Sequence, residues 1–286
     1  MNLITPVNIV KPKFEIAYTD NVLLLGSCFT EHILSKMQSV GMSVNSNPFG
    51  VMYNPLSIAQ CIKILLGKAT MPPAVQYDGL WHSMMHHGSF SRADRQEFDK
   101  LINRSIEQGR EALVRSDVLI ITFGTAWVYS GTVDGELHSS RVVSNCHKMP
   151  ERWFQRRRLT VEEIVEEYTS LLSLPELKDK KVVFTVSPIR HQRDGLHANQ
   201  LSKATLLLAI DQLRDATYFP AYEIVLDELR DYRFFAEDMC HPSAVAIDYV
   251  WEKFSATFFS TATIEQVKQE YKLFLRTQHR PLHDRS

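Results

Sequence analysis

The sequence is short of several things, and each shortage removes a class of protein. Of its 286 residues only 4 are cysteine, at positions 28, 61, 146 and 240, and none are paired as CxxC. A disulfide scaffold or a zinc site of the usual spacing would need more thiols in tighter pairs. Glycine (11) and proline (12) are sparse, which excludes collagen-like and low-complexity chains. Charge of one sign is missing too: 32 Lys and Arg stand against 33 Asp and Glu, a net charge of −1. No overall field therefore draws the protein to nucleic acid or to an anionic membrane surface. No apolar run reaches the roughly 20 residues that a membrane-spanning helix needs. Lys11, Lys13, Glu15 and Asp20 precede the first strong apolar stretch. That is not the layout of a secretory signal, so the expected location is the cytoplasm.

What is present is an ordinary globular composition, 44% hydrophobic and 23% charged, in a chain long enough to bury one large core. Residues 21–28 (NVLLLGSC) run apolar into a small residue followed by a polar one, and Ile33, Leu34 and Met37 then recur at helical spacing. The order is strand, tight turn, helix. The same grammar recurs in residues 117–123, ending at Gly124-Thr125, in 181–186, ending at Ser187-Pro188, and in 222–226, ending at Asp227. Strands that are apolar throughout are covered on both faces. Helical patterns fill residues 57–66, 95–114, 160–172, 200–216, 244–254 and 263–275, the third opening with Thr160 and Glu163 spaced as a capping box.

These readings predict a single α/β domain over residues 1–286. Its sheet is doubly wound, mostly parallel and sandwiched by helices, a flavodoxin-like three-layer arrangement. Two loop insertions interrupt the alternation, near 70–91 and near 129–158, the second with a hairpin turn expected at Asp134-Gly135. At the end of such a sheet they are candidate pocket walls. Arg156, Arg157 and Arg158 read as a solvated face at the entrance to a helix.

The chemistry has to come from a nucleophile, a base and an orienting acid. A serine hydroxyl attacks only when a histidine takes its proton, and that histidine needs a carboxylate to fix its tautomer. Ser27 follows Leu23-Leu24-Leu25-Gly26, which delivers it to the carboxyl end of a buried strand. The plain alternative makes it a helix N-cap. Asp238 and His241 lie three apart in a loop before a helix, within reach of one another through a turn. Cys28 is a second possible nucleophile, but adjacent residues on such a turn point apart, so only one of the two faces His241. Elsewhere His82, His86, His87, Cys146-His147 and Cys240-His241 contain zinc-ligand residue types at no recognised spacing. No metal and no cofactor are expected, and His86 and His87 read as loop residues near the pocket. Arg190 is a candidate clamp for a carboxylate or phosphate, or else a structural ion pair. Trp127 and Tyr129 supply either a stacking wall for a sugar or ordinary core.

Gly26-Ser27-Cys28-Phe29-Thr30 resembles the name-giving motif of the GSCFA family, a branch related to SGNH/GDSL hydrolases. Asn47-Pro48-Phe49-Gly50, Phe123-Gly124-Thr125-Ala126-Trp127-Val128-Tyr129, Ser187-Pro188-Ile189-Arg190 and Asp238-Met239-Cys240-His241-Pro242 resemble its later blocks in order. The resemblance implies an esterase in which Ser27 attacks an acyl carbonyl, His241 is base and then acid, and Asp238 orients His241. It favours Ser27 over Cys28. It also implies an oxyanion hole of backbone and side-chain donors. Gly50 matches the expected glycine, but Ala126 stands where the family pattern has asparagine, so Thr125, beside Gly124, or Asn47 is the expected replacement. The expected substrate is a small molecule or carbohydrate ester carrying a short acyl group such as acetyl, with no nucleic-acid or membrane partner. Acyl transfer through the same triad, and a catalytically silent binding scaffold, stay open.

Overall fold

A computed structural model describes residues 4–131, 141–193, 195–214 and 216–278. The expected turn at Asp134-Gly135 lies outside the described residues. In chain order the elements are β1 (Val22–Gly26), α1 (Phe29–Ser39), β2 (Val44–Ser46), α2 (Pro55–Leu65), β3 (Val75–Tyr77), β4 (Leu80–His82), α3 (Arg95–Arg115) and β5 (Val118–Phe123). Next come β6 (Trp127–Ser130), β7 (Val142–Val143), β8 (Gln155–Arg158), α4 (Val161–Leu172), β9 (Lys181–Val186), α5 (Gly195–Gln212) and β10 (Thr217–Phe219). The chain ends with α6 (Ala221–Glu223), prolonged by a π-helical turn over Ile224–Leu229, then α7 (Ala244–Phe258) and α8 (Thr261–Gln278).

Five strands form one parallel sheet in the order β10-β9-β5-β1-β2. Numbered along the chain, that is the flavodoxin-like 2-1-3-4-5 order, whose direction of winding reverses between β1 and β5. Alternation within each strand feeds two cores. Leu23, Leu25, Leu119, Ile121 and Phe123 face a cluster shared with α2, α4 and α5, while Val22, Leu24, Val118 and Ile120 face one shared with α1 and α7. Both faces are covered, which is why the strands read as unbroken apolar runs.

Caps and ties set the helices. Asn54 accepts from the Ser57 amide with Pro55 in the first turn of α2, and α4 carries the full Thr160–Glu163 capping box. Tyr168 on α4 is fully buried and donates its hydroxyl proton to Pro55 O (2.9 Å), tying α4 to the start of α2.

One sequence expectation is corrected. Residues 222–226 are helical, and the edge strand is β10, five residues earlier. A five-residue apolar run fits a buried helical segment as well as a strand, and here Pro220 precedes a helix whose Ala221, Ile224 and Val225 pack inward. The Arg156–Arg158 run is strand β8, paired antiparallel with β6. Arg156 lies over the rings of Trp127 (4.1 Å) and Tyr129 (5.4 Å), and Arg157 pairs with Glu163. Those aromatic faces are therefore covered by a guanidinium rather than left as a sugar wall.

Candidate active site

The first turn after β1 leaves no freedom. Gly26 has φ +139°, and a Cβ there would lie 2.1 Å from Thr122 O, so only glycine fits against β5. Its amide donates to Asn47 Oδ1 (2.8 Å) and its carbonyl accepts from the Met52 amide (3.0 Å). Asn47, itself left-handed at φ 38°, gives a side-chain amide proton to Glu31 Oε1 at 2.9 Å.

From this clamp the chain turns into α1, and Cys28 occupies the cap position without a side-chain cap bond. Ser27 is buried, and its Oγ has no hydrogen-bond partner among the described residues. Cys28 is half-buried and sets its Sγ 3.7 Å from His241 Nε2.

His241 is held by a compact loop. Asp238 Oδ1 accepts from the amides of Cys240 and His241, each at 2.9 Å, while its Oδ2 lies 2.5 Å from His241 Nδ1. These amide donors, then the imidazole, hold the Asp238 carboxyl at about 2, so it is a carboxylate at neutral pH. An ionised carboxylate only accepts, which places a proton on His241 Nδ1 and turns Nε2 toward the thiol. Burial pushes the Cys28 thiol above its ordinary range, against the opposing pull of its own amide, of Lys203 and of the Phe29 amide, so the sulfur that rests beside Nε2 is protonated.

The other expected site residues have structural occupations. The Gly50 amide donates to Asn47 O (2.7 Å), and the amides of Gly124 and Thr125 both donate to Tyr53 O (2.8 and 2.9 Å). Thr125 Oγ1 bonds Ser202 Oγ (3.0 Å) and accepts from the Trp127 amide (3.1 Å). Asn47 serves the clamp by accepting at Oδ1 and donating one side-chain amide proton. The amides of Gly50, Gly124 and Thr125 are already engaged, and Ala126 is fully buried. Arg190 braces the histidine loop: its amide donates to Cys240 O (3.1 Å), its Nη1 to Met239 O (3.3 Å), and its guanidinium covers Tyr232 and Phe235.

The insertion histidines also have partners, and among the described residues no group of three or more His, Cys, Asp or Glu is arranged to hold a metal. His82 bonds Tyr77 O and Ser91, His86 bonds Ser83 and Ser105, and His147 bonds Ser83 O. Among the described residues no helix is long and apolar enough to cross a membrane.

Three residues near the site, Tyr53, His32 and Lys203, escaped sequence reasoning. Tyr53 and His32 feel the charges of Cys28 and His241 respectively, and Tyr53 meets His191 edge-on at 6.0 Å. Lys203 lies fully buried on α5. Only Lys203 left a signal, a lone ammonium in the apolar run Ala204-Thr205-Leu206-Leu207-Leu208 and its approach.

The GSCFA family model matches residues 21–254, from the start of β1 through the histidine loop and most of α7. The chain belongs to the GSCFA family. A search among curated proteins finds no match. Among solved structures this GSCFA protein is similar to the crystal structure of a carbohydrate esterase family 3 from Talaromyces cellulolyticus. The two are 12% identical, with a TM-score of 0.33, over 88% of this chain and 99% of that one.

Proposed function

We propose that this GSCFA protein is an acyl-ester hydrolase working through a covalent intermediate, with Cys28 as nucleophile, His241 as general base and acid, and Asp238 orienting His241. The supporting observation is the line from Cys28 Sγ through the His241 ring to Asp238, with contacts of 3.7 and 2.5 Å. The thiol attacks the acyl carbonyl carbon while its proton passes to His241 Nε2, and Asp238 stabilises the imidazolium. The tetrahedral oxyanion meets the amides of Cys28 and Phe29 at the start of α1, which already point at the sulfur. His241 then protonates the leaving alcohol oxygen, giving a thioester. Water, deprotonated by the same nitrogen, releases the carboxylic acid and restores the thiol.

The proposed substrate is a short acyl ester of a polar alcohol, carbohydrate included, because hydrogen-bonding rings lie near the pair: Tyr53 by Cys28, with His191 edge-on to Tyr53, and His32 by His241. A silent binding scaffold is the second reading, favoured by the engaged donors of the Gly50 and Gly124 turns. The test is hydrolysis of p-nitrophenyl acetate to butyrate by the native protein, Ser27→Ala, Cys28→Ala and His241→Ala. Loss in Cys28→Ala and His241→Ala with activity kept in Ser27→Ala supports the proposal. Loss in Ser27→Ala but not in Cys28→Ala returns the attack to Ser27, and a native protein without turnover or acyl-enzyme supports the scaffold.

A further inference from the structure

Helix α5 has its polarity reversed. From Ala198 to Ile210 it carries one charged residue, Lys203, and that side chain is fully buried, its Nζ donating to Gly124 O and to Ser187 O at 2.7 Å each. Asn199 and Ser202 point inward as well, accepting from the His191 and Ala126 amides. The outward side is left to Leu201, Ala204 and Leu208, with Leu201 41% and Leu208 55% exposed. By contrast α3 turns Glu97, Lys100, Arg104, Glu107 and Glu111 to solvent, and α4 turns Glu162 and Glu166. Single exposed leucines need no explanation, but a continuous outward stripe without charge is what the centre of a protein interface looks like.

The spacing of the stripe says what covers it. His197, Leu201, Ala204, Leu208 and Asp211 follow one another at intervals of four, three, four and three, the seam of a coiled coil. The series also reads in reverse about Ala204: His197 stands seven residues before it and Asp211 seven after it, with an exposed leucine between on each side. Laid antiparallel on a second copy about a twofold axis at Ala204, the helix sets alanine against alanine, Leu201 of one copy against Leu208 of the other, and His197 against Asp211 at both ends. The imidazole and the carboxylate are complementary, and neither has a partner among the described residues. A groove of about 420 Å³, lined by Leu207, Leu208, Leu213, Ala216 and Tyr218 among others, opens beside Leu208, on the side where Leu201 of the other copy arrives.

We infer that the outer face of α5 is a self-complementary dimer interface, in which two copies of this chain meet as antiparallel helices about Ala204. The inference is independent of which side chain attacks the ester. A contact built on one helix pair stands at the small end of specific interfaces, so the expected dissociation constant is on the order of micromolar.

The test is sedimentation velocity of the full chain from about 1 to 100 μM, a range that brackets such a constant. The native protein is expected to pass from the mass of one chain to that of two. Leu208→Glu alters an exposed position, so it is expected to keep the native circular dichroism spectrum and to stay monomeric throughout. His197→Asp sets carboxylate against carboxylate at both ends and should weaken the dimer about tenfold or more, while His197→Asp combined with Asp211→His should restore it. Only a register that pairs 197 with 211 produces that rescue. A native protein still monomeric at the top of the range overturns the inference. So does a dimer that survives Leu208→Glu, which would move the contact to another face, such as the exposed Tyr271, Leu273 and Leu275 at the end of α8. A double variant no tighter than His197→Asp alone would overturn the antiparallel pairing.

Discussion

The insertion before α3 is pinned by an imidazole that has no room for a second proton. His86 is fully buried, its ring stacked on Phe49 at 4.1 Å and near Phe90 at 4.8 Å. Ser105 gives its hydroxyl proton to Ile102 O (2.7 Å), so at its 2.9 Å contact with His86 Nε2 it must accept, and Nε2 carries the proton. The bare Nδ1 therefore accepts from Ser83 Oγ at 2.7 Å. Protonating Nδ1 would put a charge into an apolar pocket and turn the Ser83 hydroxyl proton away toward the weak acceptor Met71 Sδ. Burial, with His147 as a smaller cause, holds His86 down to about 3 from 6.5. Above about pH 6.5 folded and unfolded states are both neutral and the group costs nothing. Below it the unfolded chain takes a proton that the folded one refuses, and stability falls by ~1.4 kcal/mol per pH unit until about pH 3. At about pH 4.5 the loss from this ring is ~3 kcal/mol, a large share of the ~5–15 kcal/mol that holds a domain together. His86→Gln keeps a neutral polar side chain at every pH. In urea titrations its stability deficit against the native protein should shrink by ~2–3 kcal/mol between about pH 7.5 and 4.5. A deficit that stays constant across that range would refute both the neutral ring and the assigned tautomer. The effect reaches the site as well, because the His87 amide donates to Phe49 O (2.8 Å), next to the Asn47–Gly50 turn that clamps Gly26.

Two further outcomes follow from the same geometry. Asp238→Asn keeps the loop's shape but frees His241 to place its proton on Nε2, facing the thiol, so kcat/KM for a p-nitrophenyl ester should drop by about 10⁴ with an unchanged circular dichroism spectrum. A drop of less than about tenfold would remove Asp238 from the relay. Gly26→Ala drives a methyl to within 2.1 Å of Thr122 O at a φ of +139°, so destabilisation of ~3 kcal/mol or more is expected. Its melting temperature, compared with that of Ser27→Ala, checks this, and near-native stability would mean that β1 and β5 separate easily at their ends.

The three-layer architecture was legible because long apolar runs ending in small residues have few other meanings at this length. The edge strands were not. β2 and β10 span only three residues each, too few to display a period, and the apolar run beyond β10 belongs to a helix. The partners of Asn199, Ser202 and Lys203 were equally hidden. Polar residues facing a helix's buried side blur its amphipathic pattern, and their partners are backbone atoms of loops far away in sequence.

The nucleophile marks the boundary of what periodicity can decide. A strand fixes which way each side chain points, but Gly26 breaks the alternation, and from there facing is set by whichever helix the next residue opens. Cys28 caps α1 and packs with the core beneath α1 and α7, whereas Ser27 is turned toward Gly124 at the end of β5. His241 stands just before α7, whose Ser243 cap accepts from the Ala246 amide, so the imidazole descends on the α1 side of the sheet. A base delivered by the start of one helix meets what is delivered by the start of its neighbour in the same layer. The shared face of α1 and α7, which a sequence alone does not reveal, is what supports proposing Cys28 over Ser27.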